Sequence, residues 1–358
     1  MNINFLLPHI RLSGGVKALL EYANRLNQMG HEVRVFVPRK RPKWYQLRDK
    51  WAMRKHGLQS LLPEVVEWMD NNIAIEIFPE SRGGYLPDSD ILVASAWQNA
   101  EFASQLPIEK GKFFYFVLHY ESLWTRHKNR AVKTYDLSCE MITCSTWLKN
   151  ILNEKHGKEA DVLVIPVDRE VFFCEQKKWN SIPRIAMLHH DYDWKGYAEG
   201  VEAVKQILQQ GKKVELVVFG EKLEDPRLLF DKAGFEFEYH YRPTRERLRK
   251  IYESCDIFLC PSWYEGLGLP SMEAMACCCA LVTSDTGGCL DYAINGKTAL
   301  ISLSRDIDGL SENIIRLMDD RKLLELISRN GQKKICELDW HESCRQLVGL
   351  FETSLNLD

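Results

Sequence analysis

Two glutamates with seven residues between them, Glu265 and Glu273, bracket the stretch of this sequence best suited to chemistry. Between them run Gly266-Leu267-Gly268-Leu269-Pro270-Ser271-Met272, preceded by the apolar Ile257–Cys260 and followed by Ala274-Met275-Ala276. A buried strand, a glycine-rich turn and a helix start, in that order, outline an anion site. Free N–H groups and the positive end of the helix dipole point at whatever lies before the helix. Pro270 has a φ suited to the first helical turn, and Ser271 can cap it. Gly266 and Gly268 lack Cβ atoms, so a diphosphate can approach the backbone closely. Glu273, one turn into the helix, can accept two hydrogen bonds from a vicinal diol such as ribose, while Glu265 faces the other side of the phosphates, toward a sugar. The competing interpretation makes Glu273 a helix-dipole partner worth ~0.3–1 kcal/mol and the glycines an ordinary loop.

Other residues could serve the same chemistry. His119 ends the apolar run Phe113–Leu118, at the carboxyl edge where open α/β sheets place ligands, although a histidine at a strand end can equally be structural. Glu121 follows it, as an acceptor-binding carboxylate or an exposed loop acid. His189, His190, Asp191 and Asp193 lie within five residues, too tightly packed for a convincing zinc spacing, so no metal is expected. Trp97, in Ala94-Ser95-Ala96-Trp97-Gln98-Asn99-Ala100, can stack on a sugar face or sit half-buried.

Positioning these groups requires alternating strands and helices. In the first half, Ile3–Leu7, Glu32–Val37, Ile91–Ala94, Phe113–Leu118 and Glu140–Thr143 read as short strands, with a helix from about Gly15 to Met29. In the second half, Arg184–Leu188, Val214–Phe219, Ile257–Cys260 and Ala280–Thr283 alternate with helical stretches. That alternation predicts parallel sheets covered by helices. The 358 residues exceed what one hydrophobic core usually holds, so two α/β domains of about 170 residues each are expected. The connector 161–173 marks the boundary: 1–168 as a first Rossmann-like domain, 169–340 as a second, and 341–358 as a helix packing back on the first.

Composition excludes several classes. Hydrophobic content of 45% and charged content of 27% suit an ordinary globular protein, and a net charge of −3 gives no global case for nucleic acid. Eleven scattered cysteines, three of them consecutive at Cys277–Cys279, form no disulfide framework and fit a reducing cytoplasm. The sequence opens on a strand rather than a signal peptide, and no apolar run reaches the ~20 residues of a membrane span. Residues 39–55 carry eight Lys or Arg against one acid, with Trp44, Tyr45 and Trp51 interleaved. This segment suits anionic lipid headgroups at the inner membrane face, and equally a solvated surface.

The Glu-x7-Glu spacing around Gly-Leu-Gly-Leu-Pro closely resembles the signature of family 4 retaining glycosyltransferases of the GT-B fold. Ser13-Gly14-Gly15-Val16, Met29-Gly30-His31-Glu32-Val33, Val167-Asp168-x-x-x-Phe172 and Ser284-Asp285-Thr286-Gly287-Gly288 are similar to further parts of that family. Residues 94–100 and the Tyr-Glu after His119 are similar to a rhamnosyltransferase subgroup. The resemblance implies two Rossmann-like domains with parallel sheets facing across a cleft. It implies that Glu273 binds the donor ribose, that Glu265 contacts the transferred sugar, and that the turn Gly266, Leu267, Gly268 and Leu269 holds the phosphates. Gly14 and Gly15 would approach the donor from the other domain, and His119 would be the family's active-site histidine. The family clamps the diphosphate with an Arg and a Lys. Lys195, in Trp194-Lys195-Gly196, supplies the Lys, whereas the Arg position falls on or near His190.

The function so implied is transfer of a hexose or deoxyhexose from a UDP-, GDP- or dTDP-sugar to a glycan or lipid-linked saccharide, with retention and without metal or cofactor. Cell-surface polysaccharide or glycoconjugate synthesis is the expected setting. Lys195 and the helix terminus would offset charge growing on the leaving diphosphate. A catalytically silent sugar-nucleotide or glycan-binding protein of the same fold is the alternative. A nicotinamide-dependent oxidoreductase is disfavoured, because no Gly-x-Gly-x-x-Gly follows the first strand and no acid for a ribose ends the second.

Overall fold

The computed structural model describes residues 1–11, 13–39, 73, 75–79, 83–221 and 227–356. It forms two compact units, Met1–Leu163 with His341–Asp358, and Val164–Trp340.

In the first unit the order is β1 (Asn2–Leu6), α1 (Gly14–Gln28), β2 (Glu32–Arg39), β3 (Ile75–Pro79), β4 (Ile91–Ala94), α2 (Trp97–Ala103), β5 (Lys112–Val117), α3 (Lys128–Thr134), β6 (Glu140–Thr143), α4 (Thr146–His156) and β7 (Asp161–Val162). The strands pair in parallel in the order β3-β2-β1-β4-β5-β6-β7. Strands such as Ile91–Ala94 are buried along their whole length, as expected for a parallel sheet covered on both faces. Ser13 caps α1 by accepting the Val16 N–H at 3.4 Å, and Ser145 caps α4 from Leu148 N–H at 3.3 Å. Leu6, Phe36, Phe78, Leu92 and Phe102 form one part of the core.

The second unit runs β8 (Arg184–His189), α5 (Tyr197–Gln209), β9 (Glu215–Gly220), α6 (Arg227–Ala233), β10 (Glu238–Tyr241), α7 (Arg245–Ser254), β11 (Ile257–Cys260), α8 (Leu269–Ala276), β12 (Ala280–Ser284), β13 (Ala299–Ser302), α9 (Ile307–Asp319) and α10 (Arg321–Cys336). Its parallel order is β10-β9-β8-β11-β12-β13. Ile185, Met187, Val218, Leu259, Val282 and Leu300 meet helix residues such as Val204, Ile207, Leu310 and Ile314 in its core.

The last helix, α11 (Trp340–Asn356), belongs from His341 onward to the first unit. Tyr22 hydrogen-bonds Ser343 at 2.6 Å, and the buried Phe351 packs edge-on against Phe114 with centroids 4.8 Å apart. None of the eleven cysteines is in a disulfide. Among the described residues no helix is long and apolar enough to cross a membrane. Residues 40–55 of the basic segment lie outside the described residues.

Both sheets reverse strand order once, between β1 and β4 and between β8 and β11. A crevice opens at the carboxyl ends of the strands at such a reversal, where ligands bind in open α/β sheets. The loop carrying Lys195 leaves β8, and the loop carrying Glu265 leaves β11, so both flank the reversal of the second sheet.

Candidate active site

In the second unit, two loops are locked together by one residue without a side chain. Gly196 has φ +66°, and a Cβ there would lie 1.9 Å from the Pro261 carbonyl oxygen. Only glycine accepts both that conformation and that contact. The Trp263 N–H donates to the Trp194 carbonyl at 2.8 Å, completing the zipper. Its consequence is an ion pair: Lys195 Nζ lies 2.7 and 2.9 Å from the two Glu265 carboxylate oxygens. Ser262 Oγ donates to Glu265 Oε1 at 2.8 Å. Both charged side chains are mostly withdrawn from water, 16% and 12% exposed, so the bond is charge-assisted and weakly screened.

Aromatic rings wall this pair. Lys195 Nζ stands 4.4 Å from the centroid of the Trp194 ring, within cation–π range. Trp194 stacks on Tyr264 at 5.2 Å and on Tyr192 at 5.4 Å, and Tyr192 stacks on His190 at 4.4 Å. His190 therefore sits in a ring stack, with its Nδ1 accepting the Tyr192 N–H at 3.2 Å. His189 is buried, edge-on to Tyr197 at 4.7 Å and Tyr239 at 6.4 Å, and burial holds its imidazole below the ordinary value. Among the described residues no group of three or more His, Cys, Asp or Glu is arranged to hold a metal ion.

The glycine-rich turn caps α8 three residues earlier than the expected Ser271. The helix begins at Leu269 with Gly268 as its cap at φ +91°, and no side chain caps it, so Ser271 lies buried inside the first turn instead of at its edge. The Tyr292 hydroxyl donates to the Gly268 carbonyl at 3.3 Å, and a Cβ at Gly268 would come within 2.8 Å of that hydroxyl. The same hypothetical Cβ would lie 3.9 Å from Glu265 Cβ and Cγ, so the carboxylate stands beside the helix start. Glu265 N–H donates to the Thr286 carbonyl at 2.9 Å, tying the turn to the loop after β12. Glu273 is buried on α8, and after burial itself its charge is the largest influence raising the Tyr252 hydroxyl pKa.

The first unit gathers its own group at the carboxyl edge of its sheet. Gly14 and Gly15 open α1 after β1, and a Cβ on Gly15 would lie 3.0 Å from Leu118 Cδ1, next to His119. His119 Nδ1 accepts the Trp124 indole N–H at 3.3 Å, and its carbonyl accepts the Tyr135 hydroxyl at 3.4 Å. Tyr135 in turn accepts the Glu121 N–H at 2.9 Å. Glu121 is a buried acid, not an exposed loop carboxylate: it accepts the Trp97 N–H at 2.6 Å at the start of α2. Burial raises its pKa to about 7, against the lowering effect of that hydrogen bond. Trp97 is 1% exposed, with the Arg130 guanidinium 4.9 Å from its ring centroid, so it has no face for a sugar.

The predicted residues thus fall into two groups, Gly14, Gly15 and His119 on one unit, and His190, Lys195, Glu265 to Leu269 and Glu273 on the other. Ser262, Trp194, Tyr264 and Trp124 were not singled out for a role in the sequence. The aromatic spacing Tyr192-x-Trp194 and the pair Trp263-Tyr264 were the available signals.

Residues 168–334 match the family model described as glycosyl transferases group 1. An N,N'-diacetylbacillosaminyl-diphospho-undecaprenol alpha-1,3-N-acetylgalactosaminyltransferase of Campylobacter jejuni is 25% identical over 194 residues, which is 53% of this chain and 50% of that protein. The capsular polysaccharide biosynthesis glycosyltransferase CapM of Staphylococcus aureus is 29% identical over 147 residues, 39% of this chain and 38% of that one. The alignments span about half or less of these relatives' length. Anabaena HepE, solved in complex with UDP and glucose, superposes with a TM-score of 0.77 at 16% identity over 99% of this chain and 100% of that one. The chain therefore has two parallel-sheet units of the GT-B type, the second of which carries the match to glycosyl transferases group 1.

Proposed function

We propose that this chain is a retaining, metal-independent glycosyltransferase that moves a hexosyl or deoxyhexosyl group from a nucleoside-diphosphate sugar to a glycan or lipid-linked saccharide. The observation that carries this reading is the Lys195–Glu265 pair beside the start of α8, with Glu273 on the same helix. An ammonium group and the N–H groups of a helix terminus, gathered at the carboxyl edge of a parallel sheet, offset negative charge on a diphosphate.

In this mechanism the diphosphate lies on the amino end of α8, against the backbone of Gly266, Leu267, Gly268 and Leu269, and Glu273 takes the ribose hydroxyls. Lys195 leaves Glu265 for the phosphate. Stabilisation that grows as the sugar–oxygen bond breaks lowers the barrier, because it is stronger in the transition state than in the ground state. Glu265, released from the lysine, turns to the hydroxyls of the transferred sugar. His190 stands where the family's arginine would, inside a ring stack, so the charge falls mainly on Lys195. On the first unit the proposed residues are Gly14, Gly15 and His119. No divalent cation is required, since lysine and helix together carry the charge.

UDP-sugars lead the donors to test, followed by GDP- and dTDP-sugars, because the Anabaena neighbour was seen with UDP and glucose. The Campylobacter relative's name includes a diphospho-undecaprenol, and a lipid-linked acceptor gives the basic segment 39–55 a reason to meet anionic headgroups at the inner membrane face. Eleven cysteines without a disulfide suit a reducing cytoplasm. Incubating the chain with a nucleotide-sugar panel and a saccharide acceptor, with and without EDTA, tests the proposal. Acceptor-dependent release of nucleoside diphosphate, insensitive to chelator, and a product of unchanged anomeric configuration are expected. Binding of the nucleotide without any release would make the chain a silent binder.

A further inference from the structure

The turn that follows β5 contains a hydrogen bond with a chemical direction. Trp124 Nε1 lies 3.3 Å from His119 Nδ1, and the two rings stand edge to face, 81° apart with centroids at 6.2 Å. An indole nitrogen has a hydrogen and no lone pair to offer, so it can only donate. His119 Nδ1 must therefore be the acceptor, and in a neutral imidazole the hydrogen then resides on Nε2. The backbone on either side is held as well, since Tyr135 donates to the His119 carbonyl and accepts the Glu121 N–H.

We propose that Trp124 is a positioning residue that fixes His119 as an Nε2–H hydrogen-bond donor. This rests on the glycosyltransferase reading only for its consequence in turnover. The imidazole so fixed carries its hydrogen at Nε2 and has no lone pair there with which to take a proton. His119 so fixed cannot act through Nε2 as a base that deprotonates an attacking hydroxyl. Trp124 is 39% exposed, so its substitution does not empty a core.

The test reads the tautomer directly. Nitrogen-15 spectra of uniformly labelled full-length chain, with the His119 resonances assigned by their loss in His119→Gln, report which ring nitrogen carries the hydrogen. The wild type is expected to show Nε2–H predominating. Trp124→Phe keeps an aromatic ring and removes the N–H, so the ratio should move toward Nδ1–H by about fivefold, the factor a net hydrogen bond supports. Trp124→Gln restores a donor without the ring and should return the ratio toward wild type. A wild-type imidazole hydrogenated at Nδ1, or an unchanged ratio in Trp124→Phe, would overturn the assignment. So would a shift in Trp124→Gln as large as that in Trp124→Phe, because the ring and not its N–H would then be responsible. In turnover, Trp124→Phe should lower kcat with little change in donor KM. Absence of transfer by the wild type with every donor would defeat the proposed function while leaving the tautomer result intact.

Discussion

In the resting chain Lys195 is already paired, and that decides how a diphosphate can arrive. Both Glu265 oxygens hold the ammonium, so an incoming phosphate must outcompete a carboxylate that also repels it. Glu265→Gln removes the competitor and should tighten UDP binding, by up to ~2 kcal/mol, while transfer collapses because the sugar contact is lost. Calorimetry with UDP alone, set beside an activity assay, separates the two effects; weaker UDP binding would refute the competition. Glu273→Ala should weaken donor binding by ~1.5–3 kcal/mol, the value of lost hydrogen bonds to a charged group. Unchanged affinity in the same calorimeter would remove Glu273 from the ribose.

Glu121 makes a prediction of a different kind. The folded chain keeps its proton up to about pH 7, whereas the unfolded chain releases it near the ordinary 4.5. Between those values the native state binds more protons, so this group's contribution to stability falls as pH rises through the window. Glu121→Gln cannot ionise and still offers an oxygen to the Trp97 N–H. Its denaturant midpoint should therefore drop less than wild type between about pH 5 and about pH 8. Parallel pH profiles would show that Glu121 does not titrate there. Glu265 and Glu273 could be singled out in the sequence because they bracket one local turn, whereas Lys195, 70 residues from Glu265, was suggested only by the family resemblance. Ser262 and Trp124 were not singled out, although their partners Glu265 and His119 lie only three and five residues away. The loop conformations that turn these side chains together leave no periodic pattern, and the burial of Glu121 was equally invisible in an unremarkable Tyr-Glu-Ser.

At the scale of elements, the strand–turn–helix order around 257–276 was read correctly, yet the cap was misassigned. The rule that serine favours a helix cap is outweighed here by Gly268, whose positive φ starts the helix earlier and turns Ser271 inward. Gly268→Ala forces a β-carbon into that conformation and against the Tyr292 hydroxyl. It should cost about 1–3 kcal/mol in a denaturant unfolding curve. Combining it with Tyr292→Phe should recover part of that loss by relieving the contact, and no recovery would place the entire cost in the backbone. The strands that were read are placed to within a residue or two, since apolar runs bounded by turns leave few alternatives in a parallel sheet, whereas β3, β10 and β13 were not read as strands.

For the whole molecule, a donor that binds the native state alone should raise the unfolding temperature with the logarithm of its concentration relative to its dissociation constant. At a hundredfold excess over its dissociation constant the gain is ~2.7 kcal/mol, and UDP without the sugar should supply much of it. A scan in which UDP produces no shift at saturating concentration would argue against a diphosphate site on α8. The alternation of strand and helix foretold the two-unit architecture, whereas the ring stack around Lys195 depends on loops from β8 and β11 that are about 70 residues apart.

The passage of α11 back to the first unit sets an order of assembly. Phe114 on β5 receives Phe351 only after the intervening 200-odd residues, the entire second unit included, have been synthesised. On the ribosome the earlier segment must therefore wait with an aromatic strip uncovered, a state that invites chaperones and misassociation. Synthesis of α11, rather than emergence of the first 163 residues, becomes the moment at which that half of the molecule can close its core.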